Sequence, residues 1–203
     1  MTKHMNVIYI PGLGDRKVDG QRRAVSSWRL WGVEPELFQM NWGDKKPWLP
    51  KFQRLLARID ELSAKGKPVA LVGVSAGASA VINAYAARKD KLAGVVCIAG
   101  KINRPDTIDQ RYYINNISFV TSAYDCEQAL KTLSSSDRAR ILSRFAIYDE
   151  RLTRQDSLVP GAHNRLSLSI GHLPTIAFQL TLGAPSFLRF LKRQLAGSHY
   201  AQK

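Results

Sequence analysis

The chain is poor in cysteine, histidine and acid. Its two cysteines, Cys97 and Cys126, form no close-spaced redox or metal motif, and nothing in the sequence supports their pairing. Cys97 lies in the apolar run Gly94-Val95-Val96-Cys97-Ile98-Ala99, where a thiol packs as a small hydrophobe. The four histidines are scattered, so no Cys/His cluster offers a structural zinc site. No metal and no cofactor is expected. No apolar run is long enough to cross a bilayer. The opening Met1-Thr2-Lys3-His4-Met5 lacks the apolar stretch of a secretory signal, and a cytoplasmic protein is the expectation. Linkers, internal repeats and low-complexity segments are also absent.

The shortage of acid leaves 30 Lys and Arg against 16 Asp and Glu, a net charge of +14. Solubility is the plain reading of that charge. An anionic substrate, an acidic membrane surface or nucleic acid are the sharper ones. The basic residues are spread along the chain and no nucleic-acid-binding signature accompanies them, so nucleic acid is not expected as the main partner. What is present is a substantial apolar content, 45%, with four tryptophans, in 203 residues. That suits one globular domain, 1–203, with a sizeable core.

The apolar pattern alternates between strand-like and helix-like segments. Val7-Ile8-Tyr9-Ile10 reads as a short buried strand stopped by Pro11-Gly12. A helix is expected over 21–31 with Val25 and Trp28 on one face, then a strand over 36–40. Phe52, Leu55, Leu56, Ile59 and Leu62 follow helical spacing, with Gly66 and Pro68 as the stop. Strands follow at 68–72, 95–99, 144–148 and 166–170, and a last helix at 185–195. Between the strands at 95–99 and 144–148, residues 105–142 hold two helix-like pieces, one around 119–133 and one after the capping cluster Ser134-Ser135-Ser136-Asp137, read as a small cap or as crossover helices. The order predicts an α/β fold with a mostly parallel central sheet and helices on both faces.

The most informative stretch is Gly73-Val74-Ser75-Ala76-Gly77, directly after the apolar run 68–72 and before a helix-like segment, 78–88. This is G-x-S-x-G in the strand–turn–helix context of a nucleophile elbow. The plainer alternative is a tight turn whose serine only caps the helix. A serine hydroxyl needs a base to remove its proton, and the base needs an orienting carboxylate. Ser75, Asp156 and His172 supply the three in chain order, each at or just after a predicted strand. His163 is the rival base, but it precedes the last strand and falls at the wrong sheet edge. Asp156 is preferred as the acid, with Asp149 second and Glu150 beside it. An oxyanion hole needs backbone N–H groups, for which Ala76 and Leu13, in Pro11-Gly12-Leu13-Gly14-Asp15, are the candidates.

With these motifs in this order, the chain resembles a small α/β-hydrolase over nearly its whole length. The resemblance implies a serine hydrolase, carboxylesterase- or thioesterase-like, with Ser75 as nucleophile, Asp156 as acid, His172 as base, and Leu13 and Ala76 as oxyanion donors. The superfamily's oxyanion loop often begins His-Gly, where this chain has Pro11-Gly12. A carboxylic ester is the expected substrate. A thioester, or a non-catalytic binding module on the same fold, are the alternatives. Trp42, Trp48, Tyr112 and Tyr113 are readable as an acyl pocket or as core. Basic residues in the loops at the catalytic edge (Arg16, Lys17, Lys45, Lys46, Lys101, Arg104, Arg151, Arg154) allow for an anionic substrate, while Asp15, Asp44, Asp106 and Glu150 offset them. Substrate identity and oligomeric state are not legible.

Overall fold

The computed structural model describes residues 4–200, with side chains to residue 195, so the first three residues of the opening read above lie outside it. Six strands form one sheet in the order β2-β1-β3-β4-β5-β6. They are β1 (Met5–Ile10), β2 (Val33–Leu37), β3 (Val69–Val74), β4 (Leu92–Ile98), β5 (Ile141–Tyr148) and β6 (His163–Ile170). Every neighbouring pair is parallel. β1, β3 and β4 are buried along their whole length, as a sheet covered on both faces requires.

The helices fall on two sides of this sheet. One core layer gathers Leu55, Ile59, Val81, Tyr85 and Phe119 from α2 (Trp48–Ala64), α3 (Ala76–Arg88) and α5 (Ile117–Lys131) against Ile8, Leu71 and Val95. The other gathers Trp28, Ile176, Phe187 and Leu191 against Val7, Val72 and Val96. Trp28 follows α1 (Asp19–Ser26) in a 3-10 turn, and the rest come from α8 (His172–Leu180) and α9 (Ala184–Tyr200). The indole N–H of Trp28 donates to the Leu180 carbonyl at 2.9 Å, pinning that turn to the end of α8. Trp42 and Trp48 stack at 6.0 Å and both are buried, so core packing accounts for them. Cys97 and Cys126 are free and buried.

Several elements differ from the sequence expectation. β2 starts three residues earlier than expected, at Val33, and contains Pro35. A proline is tolerated there because β2 is an edge strand with one side unpaired. α8 was not anticipated as a separate helix. Residues 105–142 are divided: α5 lies in the helical layer, where Asn83 Nδ2 donates to the Ser122 carbonyl at 2.8 Å, and α4 (Arg111–Asn115) buries none of its residues. Ser134 and Asp137 are bonded reciprocally as a capping box at the start of α6 (Ser135–Arg138).

β1 lies one strand in from an edge; the chain steps outward to the edge strand β2, then crosses back to β3. The order therefore reverses between β1 and β3, and a crevice opens at their carboxyl ends. The loop after β1 carries Leu13, and the loop after β3 carries Ser75.

Candidate functional site

Ser75 is held where a serine rarely sits. Its φ is 52° and its ψ is −119°, between the end of β3 and the start of α3. A non-glycine residue at such angles costs of order 1–3 kcal/mol and persists only when its surroundings impose it. Here the Ser75 N–H donates to the Ile98 carbonyl at 3.0 Å, and its own carbonyl accepts from the N–H groups of Ala78 and Lys101. At Gly77 any Cβ would run into the Ile10 carbonyl oxygen, so glycine is required for α3 to lie this close to β1. A Cβ on Gly12 would sit 2.9 Å from Cβ of Ser75, so the loop after β1 passes directly over the serine.

His172 completes a short hydrogen-bonded chain. Its Nε2 lies 3.0 Å from Ser75 Oγ, and its Nδ1 lies 2.7 Å from Asp149 Oδ2. The imidazole is almost fully buried, 3% exposed, at the first turn of α8. A neutral imidazole with its proton on Nδ1 donates to Asp149 and presents a free lone pair to the serine hydroxyl. Asp149 directly follows β5. Its Oδ1 accepts from the N–H groups of Arg151 at 2.8 Å and Leu152 at 3.1 Å. Burial works to raise its pKa, but the His172 bond and these two N–H groups hold the carboxyl below its ordinary range. Glu150 Oε2 accepts from the His172 N–H at 2.9 Å and fixes the entry to α8.

The expectation for Asp156 needs correction. Its carboxylate does not meet His172. Oδ1 accepts from Lys101 Nζ at 2.6 Å, and Oδ2 accepts from the N–H and hydroxyl of Thr153 at 2.7 and 2.8 Å. Thr153 and Asp156 thus form a capping box on the short helix α7 (Arg154–Ser157). Both partners of the Lys101–Asp156 pair are buried, 6% and 5% exposed. Burial acts to raise the Asp156 carboxyl, yet Lys101 and Thr153 hold it below its usual range. The pair ties the loop after β4, whose Lys101 N–H bonds Ser75, to the loop after β5. The signal was present in the sequence: Thr153-Arg154-Gln155-Asp156 has the spacing of a helix start. The place of His163 agrees with its rejection, since it opens β6 at the opposite end of the strands.

The loop over Ser75 is anchored from below. Trp42 Nε1 donates to the Pro11 carbonyl at 3.0 Å, and buried Asp15 accepts through Oδ2 from the Asn41 N–H at 2.5 Å. Asp15 and Lys101, read above as rim charges, are both buried. Arg16 and Lys17 remain exposed. Together with Leu13, Gly14 and Gly43 they line a depression of about 300 Å³. Ala76 is the first residue of α3, so its N–H has no carbonyl one turn back to bond. Among the described residues, no group of three His, Cys, Asp or Glu side chains is placed to hold a metal ion.

No protein-family model and no curated protein sequence matches the chain. Solved structures do. Est1E from Butyrivibrio proteoclasticus, bound to ferulic acid, superposes with a TM-score of 0.71 at 14% identity, covering 96% of this chain and 90% of its own. An alpha/beta hydrolase superfamily protein from Enterococcus faecalis gives a TM-score of 0.55 at 12% identity, over 95% and 92% of the two chains. This is the α/β-hydrolase fold. Carboxyl esterase 2 (TmelEST2) from the mycorrhizal fungus Tuber melanosporum shares it, with a TM-score of 0.63 at 15% identity over 94% and 79%. On this fold Ser75 lies in the turn between β3 and α3, and His172 follows the last strand. Among the described residues, no helix is long and apolar enough to cross a membrane.

Proposed function

We propose that the protein is a serine hydrolase that cleaves a carboxylic ester through an acyl-enzyme intermediate. The carrying observation is the strained Ser75 with its Oγ 3.0 Å from His172 Nε2, and Asp149 2.7 Å from Nδ1 of the same ring. Ser75 Oγ attacks the acyl carbonyl while His172 Nε2 takes its proton. Asp149, ionised, orients the ring and stabilises the imidazolium. The N–H groups of Leu13 and Ala76 receive the oxyanion of the tetrahedral intermediate. As that intermediate collapses, His172 returns the proton to the departing alkoxide. Water, deprotonated by His172, then attacks the acyl carbon and releases the acid and free Ser75. The carboxyl esterase among the structural neighbours supports an ester as the bond cleaved.

The approach to this site lies beside the depression that Leu13, Arg16 and Lys17 line. Two exposed cations there favour an ester that carries negative charge. A panel of p-nitrophenyl esters of varied acyl length and charge tests the reading, with Ser75→Ala as control. Turnover that falls by about 10⁴ or more in the folded variant supports it. Turnover unchanged in Ser75→Ala overturns it, and a folded wild type inert on every ester favours a binding module.

A further inference from the structure

A second polar depression lies away from Ser75. It measures about 410 Å³ and is lined by Arg144 of β5, His163 and Arg165 of β6, and Ser186, Arg189 and Arg193 of α9. Four guanidinium groups therefore share one hollow. None of the four forms an ion pair with a carboxylate among the described residues. The sequence accounts for this: no Asp or Glu occurs after Asp156, so β6, α8 and α9 contain no acid at all.

Arg144 is the most constrained of the four. Its Nη1 donates to Gln179 Oε1 at 2.7 Å and its Nη2 to Ser186 Oγ at 2.6 Å. Both partners are neutral, so they fix the guanidinium without balancing its charge. Its Nε is buried with no hydrogen-bond partner. β5 and β6 are in register here, with Arg144 directly opposite Arg165. Burial first, and then the charge of Arg165, press the Arg144 guanidinium below its ordinary range. Like charges directly across paired strands destabilise a sheet. A cluster of this kind lowers its energy by taking up an anion, and one that carries more than one charge suits four guanidiniums better than a monocarboxylate.

We infer that the hollow between β5, β6 and α9 is a binding site for a phosphate group, separate from the proposed catalytic centre. Arg144, on β5, stands five residues before Asp149, about 16 Å away along the extended chain. The register sets Arg144 beside Ile98 and His163 beside Leu142, so the hollow flanks the sheet on the face that α9 covers, whereas Ser75 lies in the turn at the carboxyl edge of β3. The phosphate comes either from a soluble phosphorylated molecule or from a lipid headgroup.

Titration calorimetry with pyrophosphate at low salt tests the site, using the wild type and the double variant Arg189→Ala, Arg193→Ala. Both residues are in the outer wall of the hollow and outside the proposed catalytic machinery, and Ser75 labelling by a fluorophosphonate checks that the variant is folded. The expected result is saturable binding by the wild type, weakened at least tenfold in the variant. Sedimentation with vesicles of phosphatidylcholine, with and without phosphatidic acid, distinguishes the sources. Co-sedimentation that needs phosphatidic acid and is competed by pyrophosphate assigns a lipid headgroup. Calorimetric binding without co-sedimentation assigns a soluble phosphate. The inference is overturned if the wild type shows no saturable binding, or if the folded double variant binds as tightly as the wild type.

Discussion

Asp149→Asn and Asp156→Asn are each a change of one atom in a buried carboxylate, yet they should fail in different ways. In Asp149→Asn, Oδ1 can still accept from Arg151 and Leu152, which turns the amide NH₂ toward His172. The ring must then accept at Nδ1 and carry its proton on Nε2, so it can no longer take one from Ser75. The expected loss is about 10³- to 10⁴-fold in kcat, or roughly 4–5.5 kcal/mol of transition-state stabilisation. The fold loses only a charge-assisted bond, on the order of 1–3 kcal/mol. Asp156→Asn instead strands the Lys101 ammonium, 6% exposed, without a countercharge. Leaving one buried partner unpaired costs about 3–5 kcal/mol. At about 2–4 °C per kcal/mol for a chain of this size, Tm should drop by roughly 6–20 °C. Turnover of a p-nitrophenyl ester at 15 °C, where both variants are folded, should fall by orders of magnitude in Asp149→Asn and by less than tenfold in Asp156→Asn. Thermal unfolding followed by circular dichroism should rank them the other way in stability. A folded Asp156→Asn that loses activity as heavily as Asp149→Asn would refute the assignment of the acid.

Gly12→Ala would place a methyl 2.9 Å from Cβ of Ser75 and 3.4 Å from its Oγ. The expected result is a loss of about 10- to 100-fold in kcat/KM with a near-normal Tm, read from the same ester assay and melting curve. Asp137 is held at a pKa of about 2, burial opposing and Lys89 and Ser134 prevailing. Because its folded pKa is depressed, its contribution is complete above the unfolded value of about 3.9 and is lost as pH falls toward 2, on the order of 1–2 kcal/mol. Urea midpoints between pH 6 and pH 2.5 should therefore fall less steeply in Asp137→Asn than in the wild type, and equal slopes would count against the shift. Exposed Arg16 and Lys17 should give an anionic ester about a three- to tenfold advantage in kcat/KM over a neutral one of equal length. That advantage should vanish near 0.5 M salt, where exposed charges are screened.

The sheet was legible because its strands are short apolar runs closed by glycine and proline, and their alternation with helical spacing allows few topologies. The elbow was legible because its requirements are local: small residues on either side of a serine between strand and helix. His172 followed from position alone, as the histidine just after the last strand. The carboxylate that meets His172 did not, because Asp149 and Asp156 lie seven residues apart in one connection and both can reach the carboxyl edge. What separates them is long-range. Lys101 comes from the loop after β4 to neutralise Asp156, and only the fold brings it there. The same holds for Asp15, which reads as a loop charge but is buried beneath the loop after β1 because the Asn41 N–H is there to receive it. β2 lies at 33–37 instead of the expected 36–40, and it accommodates Pro35 because the strand is at an edge.

If Ser75 is a nucleophile activated by His172, a fluorophosphonate should capture it covalently. The wild type is treated with a fluorophosphonate, digested, and its peptides mapped by mass spectrometry. The expected result is a single phosphonyl adduct on the peptide bearing Ser75, formed at least a hundredfold more slowly after His172→Ala and not at all after Ser75→Ala. A folded wild type that forms no adduct at Ser75, or that is labelled equally fast without His172, would contradict it.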